Sequence, residues 1–364
     1  MDLNYRVGNR VFNDKFQAAS EAHRTHSHMY FNLFDQAFSK VDWSVEPPHT
    51  WDQLLDMRAR QLASKNRPIV LHFSGGTDSY TIYKVFERNR IHLSALVMNY
   101  RGDLQDPSYV NVHKFLQQGV YDPHCEIIYH NYLDHDSYEQ IYSSPDWCWT
   151  SSERHQFGIY SGTGNGDDEL CVKFGQEVIS VLGTDKPRLM FDRSGVYSYQ
   201  DDIVWIRHMK SARLDSFYIT DELPELHVKQ SWMLKKYLQH KFKIDQNFTN
   251  FHQVNAHYDP TKFEWLEYCA ASGRYGDLAN SNLAHIENKS TQLYIPSSQR
   301  VQDAVYKGRM WKDFERLRGT KTFSNYIDGI LDVANDGAGQ YLKMSRNNLS
   351  HVRSFYSKAH RMPY

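Results

Sequence analysis

One short stretch of this 364-residue chain carries residue types suited to binding phosphate, the hexapeptide SGGTDS at positions 74–79. Two adjacent glycines have no Cβ, so their backbone amides can approach a ligand closely, and a helix beginning here would add unpaired N–H groups. The two serines can donate hydrogen bonds to phosphate oxygens, whereas Asp78 repels phosphate unless a divalent cation lies between them. The pattern therefore predicts a turn that binds a metal–phosphate complex. The predicted binding residues are Ser74, Gly75, Gly76, Thr77, Asp78 and Ser79.

The flanking residues predict the strand and the helix that such a turn requires. Residues 69–73 are short, apolar and β-rich, as in a central strand of a parallel sheet, and residues 80–88 have helical character. Further apolar runs predict a second strand at 93–99, a third at 125–130 and a fourth at 178–182. The alternation predicts the α/β class, with an open parallel sheet covered by helices on both faces.

The hexapeptide is not a Walker P-loop, because no Gly-Lys-Ser/Thr follows. It resembles instead the SGGxDS pyrophosphate loop of the ATP pyrophosphatase (PP-loop, adenine nucleotide alpha hydrolase-like) superfamily. Asparagine synthetase, NAD and GMP synthetases, tRNA thiolases and phosphoadenylylsulfate reductase belong to that superfamily. The resemblance implies that ATP and Mg²⁺ bind here, that ATP is cleaved between its α and β phosphates, and that Met98 and Asn99 flank the adenine.

A second glycine-rich stretch, residues 161–170, ends in three carboxylates that can present oxygen ligands to magnesium. It is similar to the SGxGxDE segment of asparagine synthetases and β-lactam synthetases, although Thr163 stands where that family has a glutamate. The resemblance implies that Asp168 shares magnesium with Asp78. The alternative is an acidic, solvated helix start favoured by the helix dipole.

A third candidate is the loop that follows the fourth predicted strand. Lys186 and Arg188 at the carboxyl end of a parallel strand can offset charge that develops on the α-phosphate, and Asp185 can hold Lys186 by an ion pair. We therefore predict a catalytic role for these three residues; the alternative is a solvent-exposed turn. The loop resembles the cationic loops of PP-loop ligases and of asparagine-synthetase-like proteins encoded by bacteriophages.

The remaining segments predict three parts: an N-terminal hairpin and helix over 1–49, the PP-loop domain over 50–215 and a mostly helical domain over 216–364. Residues 188–200 read as a hairpin that edges the pocket. The tail from Ser345 is modestly basic, which indicates either a solvated terminus or contact with a phosphate-bearing ligand or RNA.

Composition limits the partners. The net charge of −1 gives no global attraction to nucleic acid or to an anionic membrane. The four cysteines show neither CxxC nor zinc-like spacing, which favours a reduced, cytoplasmic protein. We find no apolar run of the ~20 residues that a membrane span needs.

Together these features favour an AMP- and pyrophosphate-forming ligase, similar to asparagine synthetase, that adenylates a carboxylate or carbonyl oxygen of a small-molecule substrate. Because the N-terminus lacks the cysteine of a glutaminase domain, free ammonia, an amine or a nitrogen-donor partner is expected to supply nitrogen. Three alternatives stay open: a sulfonucleotide (PAPS) reductase, which needs a reactive cysteine; a tRNA- or nucleobase-modifying ligase or thiolase, for which nucleic acid is the partner; and a non-catalytic nucleotide-binding protein.

Overall fold

The computed structural model describes residues 3–13, 15–73, 75, 77–100, 112–113, 115–119, 121–131, 165–183, 187–192, 195–200, 214–242 and 357–364. In these residues the strands are β1 (Leu3–Val7), β2 (Arg10–Phe12), β3 (Met29–Leu33), β4 (Ile69–His72), β5 (Ala95–Tyr100), β6 (Glu126–Asn131), β7 (Ile179–Leu182), β8 (Arg188–Asp192), β9 (Gly195–Tyr199), β10 (Leu214–Ser216) and β11 (His360–Met362). The helices are α1 (Lys15–Thr25), α2 (Asp35–Phe38), α3 (Trp51–Ala63), α4 (Thr77–Arg88), α5 (Asn165–Phe174) and α6 (Pro224–Phe242).

A five-stranded parallel sheet forms the centre, in the order β10-β7-β4-β5-β6. Its middle strand is β4, whose first three residues are at most 2% exposed. The chain adds β5 and then β6 on one side of β4, and later adds β7 and β10 on the other side. The direction of winding therefore reverses between β4 and β7.

Helices cover both faces of this sheet, because alternate strand residues point to opposite sides. One face joins the main core, which includes Ile69, Leu71, Leu96, Met98 and Val181 of the sheet and Ile82, Val85 and Phe86 of α4. The other face forms a separate core, which contains Val70, Ala95, Val97 and Val178 with Leu170 of α5. Right-handed crossovers in opposite directions place α4 and α5 on opposite faces in this way.

Helix α3 packs beside the edge strand β10 and contacts it through a buried arginine. Thr50 and Gln53 form a capping box at its start, with backbone N–H to side-chain oxygen distances of 3.2 Å and 2.8 Å. The fully buried Arg58 of α3 donates to the Asp215 carboxylate of β10 and, over 2.8 Å, to Glu222. Its charge is thus compensated, as a buried guanidinium requires.

Two small antiparallel sheets flank the central one, with the orders β2-β1-β3 and β11-β9-β8. Aromatic stacking joins β11 and α6 to the segment that follows β3. The His360 ring of β11 lies 4.2 Å from the Trp43 ring at an angle of 10°, and the buried His227 of α6 stacks on Phe38. The main core accordingly extends from Leu3 to Met362.

The α/β class, the parallel strands and the helices on both faces are confirmed. Strand β10 was missed, and the expectation of a solvated C-terminus is wrong for the last residues, where Met362 is fully buried and β11 pairs with β9. In the predicted helical domain the structure shows α6, whereas residues 243–356 lie outside the described residues. The domain boundaries at 49/50 and 215/216 stay predictions.

Candidate functional site

The candidate site is the carboxyl edge of the central sheet between β4 and β7. In open α/β sheets, ligands bind outside the carboxyl ends of the strands where the winding direction reverses, because the two connecting loops then diverge and leave a crevice. Here those loops are residues 73–76, after β4, and residues 183–187, after β7. They are the two loops that the sequence singled out for phosphate and for cations.

The first turn of α4 lies at this edge of the sheet. Gly75 is buried and has φ of +69°, a conformation that costs glycine little and other residues considerably more. The helix begins at Thr77, three residues before the predicted start. Asp78 therefore lies partly buried in the first helical turn, and Ser79 is 4% exposed. The backbone N–H groups of the first turn of a helix point toward the segment that precedes the helix.

Close packing joins the second loop to this turn. A Cβ built on Gly183 would stand 2.8 Å from Cδ1 of Ile82 and 3.4 Å from the backbone nitrogen of Ser79. Only a residue without a side chain fits this approach unless Ile82 moves. Gly183 thus allows the chain leaving β7 to lie directly against the start of α4.

Two aromatic residues that the sequence did not indicate support the same turn. The Tyr218 hydroxyl, just beyond β10, donates a hydrogen bond of 3.1 Å to the backbone carbonyl of Asp78. Its ring stacks on Trp51 at the start of α3, with 6.1 Å between centroids and 8° between planes. Neither residue belongs to a recognisable sequence motif. Their contacts join segments that are far apart in the chain and come together only in the folded sheet.

The start of α5 lies at the same edge, on the other face of the sheet. Leu170 packs against the sheet in the second core, and α5 runs from the carboxyl edge toward the amino edge because β7 begins shortly after the helix ends. Asp168 lies in the first turn of α5, two residues before Leu170, and is thus about 3 Å nearer the carboxyl edge at the ~1.5 Å rise per residue of an α-helix. Asp78 and Asp168 thus begin helices on opposite faces of one sheet edge.

The other predicted residues divide into three groups. Met98 is 1% exposed and packs in the main core, so its side chain is part of the hydrophobic interior. For Asn99, Arg188 and Thr77 only the backbone is described. Asn99 of β5 pairs with His130 of β6, and Arg188 of β8 pairs with Tyr199 of β9. Thr77 is the first residue of α4. Outside the described residues lie Ser74, Gly76, Asp185 and Lys186.

A cleft of about 390 Å³ lies at the opposite, amino edge of the sheet and is lined by Tyr83, Cys125, His92 and Asp122 among others. Burial, with a contribution from the Asp122 charge, raises the pKa of the Cys125 thiol to about 12. The thiolate is the nucleophilic form of cysteine, so Cys125 is not a reactive thiol at neutral pH. The cleft is separated from the candidate site by the length of the sheet.

The described residues suit magnesium only in a particular mode. They contain no group of three or more His, Cys, Asp or Glu side chains placed to hold a metal ion. Magnesium is usually bound through one or two carboxylates together with substrate phosphates and water, not by an all-protein cage. Asp78, beside a turn suited to phosphate, fits that mode.

The fold is of the α/β class, with a topological switch point between β4 and β7. Comparison with protein-family models, with curated proteins and with solved structures found no match. Within the described part of the chain, none of the helices combines the length and apolar character that a membrane span requires.

Proposed function

We propose that this chain is an ATP-dependent ligase that forms AMP and pyrophosphate. A carboxylate or carbonyl oxygen of the substrate attacks the α-phosphorus of ATP, the bond to the β-phosphate oxygen breaks, and pyrophosphate leaves. An amine or ammonia then attacks the adenylated carbon and displaces AMP. The protein has to hold the leaving pyrophosphate and stabilise the charge that develops in both steps.

The observation that carries the proposal is the packing of Gly183 against the first turn of α4 at the switch point. Gly183, the first residue of a loop of cationic sequence, lies against the helix start that we propose to bind phosphate. In this scheme the turn at 74–79 holds pyrophosphate, and Lys186 and Arg188, with Asp185 as the ion-pair partner, stabilise the charge on the α-phosphate. Magnesium, held by Asp78 with Asp168, neutralises charge on the phosphates.

The nucleotide products distinguish the proposed ligase from the alternative enzyme classes. A ligase of this class yields AMP and pyrophosphate from ATP, a kinase-type enzyme yields ADP, and a sulfonucleotide reductase consumes no ATP. The reductase needs a reactive cysteine, and Cys125 does not supply one, because its raised pKa keeps the thiol protonated at neutral pH. A tRNA or nucleobase acceptor would give the same nucleotide products as a small acceptor.

The test uses ATP labelled at the α-phosphate, with magnesium and a panel of carboxylic acids, amines and bulk tRNA, and resolves AMP from ADP. Asp78→Asn should abolish AMP formation and weaken MgATP binding. Its matched control is Glu87→Gln, which removes an exposed carboxylate from the far end of the same helix and should leave both unchanged. Formation of ADP, or equal MgATP binding by the two variants, would overturn the proposal.

A further inference from the structure

The central strand β4 carries one residue that the proposed scheme does not use. His72 is the last residue of β4 and is partly exposed, whereas the three strand residues before it are buried. An imidazole at the carboxyl end of a central parallel strand is unusual in a run that is otherwise apolar. The residues around His72 on β4, β5 and β7 show on which face of the sheet His72 lies.

On the face covered by α4, the two described side chains at the ends of β4 and β5 are buried. Phe73 and Met98 each are 1% exposed, and the Phe73 ring packs 4.8 Å from the ring of Phe115. Both belong to the main core together with α4. Phe73 and Met98 are therefore interior side chains, which leaves the opposite face of the sheet among the described strand ends.

His72 lies on that opposite face. It follows Val70 by two positions, and Val70 packs with α5 in the second core. His72 pairs with Val97 of β5, and because Leu71 pairs with Val181, Leu182 of β7 is its neighbour on the other side. His72 thus lies at the carboxyl end of β4, one of the two strands that border the switch point, next to β7 on one side and β5 on the other.

We propose that His72 contacts the nucleotide bound in this crevice, from the side covered by α5. This inference rests on the proposed function and adds a residue to it. Imidazole can donate a hydrogen bond to a phosphate oxygen. The first turn of α5, with Asp168, lies on the same face and at the same edge.

The test is histidine-selective NMR on the full chain with ATP as the probe. The His72 ring signal, assigned by its absence in His72→Gln or His72→Asn, should shift when MgATP is added. With Mn²⁺ in place of Mg²⁺ it should broaden. His92, an exposed residue paired with Asp122 at the amino edge of the sheet, is the control; it is separated from the site by about 20 Å, the length of a six-residue strand, and should change much less.

Binding measurements complete the test. His72→Gln should weaken MgATP binding about tenfold, as expected for loss of one hydrogen bond to a charged group, while His92→Gln binds as the wild type does. If MnATP binds tightly but leaves the His72 signal no broader than that of His92, the role of His72 is wrong and the proposed function stands. If the wild type binds no ATP, the proposed function itself fails.

Discussion

At the scale of single residues, the candidate site depends on one glycine whose role is packing. Gly183 separates the chain leaving β7 from Ile82 and Ser79 of α4 by distances that leave no room for a methyl group. The sequence drew attention to residues 183–188 because of their charges. The structure adds that the uncharged first residue of the loop determines how closely the loop approaches the helix.

Replacing Gly183 by alanine should therefore overpack this contact. We expect Gly183→Ala to lower the free energy of unfolding by about 1–3 kcal/mol, measured by urea denaturation. The clashing atom is Cδ1 of Ile82, so Ile82→Val, which removes it, should restore part of the loss. The double variant should lose less free energy of unfolding than the sum of the losses in the two single variants. Strict additivity would show that the contact does not limit stability.

At the scale of elements, β10 and α3 hold each other in place and thereby position Tyr218 beside α4. Arg58 is fully buried and reaches Asp215 of β10, while Lys65 bridges Asp215 at 2.9 Å and Glu222 at 3.0 Å. A buried charge that loses its partner is costly, because the guanidinium cannot regain water. This network fixes the edge of the sheet on the side of β7.

We expect Asp215→Ala to lower the free energy of unfolding by about 3 kcal/mol, since it leaves Arg58 with one carboxylate fewer. The matched control is Glu177→Ala, which removes the partner of Arg67 from a pair in which Glu177 is 65% exposed. Such a surface pair contributes at most ~1 kcal/mol. Equal losses in the two variants would contradict the structural role of the Arg58 network.

Most elements near the site were predictable from sequence, and the exceptions have physical reasons. The strands from β4 to β7 are apolar runs, and the glycines at 75 and 76 mark the turn before α4. Strand β10 has three residues, Leu-Asp-Ser, too few for any periodicity, and its carboxylate, 19% exposed, is paired with Arg58 of α3, which is distant in sequence. Tyr218 and Trp51 were missed for the same reason, since their contact requires elements far apart in sequence.

At the scale of the whole molecule, two histidines link the flanking sheets in neutral form. Burial, with the nearby His360, lowers the pKa of His227 to about 3, and burial, with Lys358, lowers the pKa of His360 to about 4. In the unfolded chain both have a pKa of about 6.5. Below that pH the unfolded state binds more protons than the folded state, so stability falls with falling pH.

The free energy of unfolding should therefore be constant, as far as these groups determine it, above about pH 7 and should decline between about pH 6.5 and 4. Each histidine contributes a slope of up to about 1.4 kcal/mol per pH unit. Urea unfolding of the wild type and of His227→Phe/His360→Gln across this range measures it, with His92→Gln as control. A double variant with the slope of the wild type would show that the histidines do not cause the decline.

The position of β4 in the middle of the sheet has a consequence for synthesis. When residues 1–131 have left the ribosome, β4 can pair with β5 on one edge, but its other edge has no partner until residues 179–182 are made. A bare apolar strand edge is a template for association with other chains, and pairing between distant segments is slow. The nascent chain is thus open to association with other chains until β7 has been made, and slower translation would lengthen that interval.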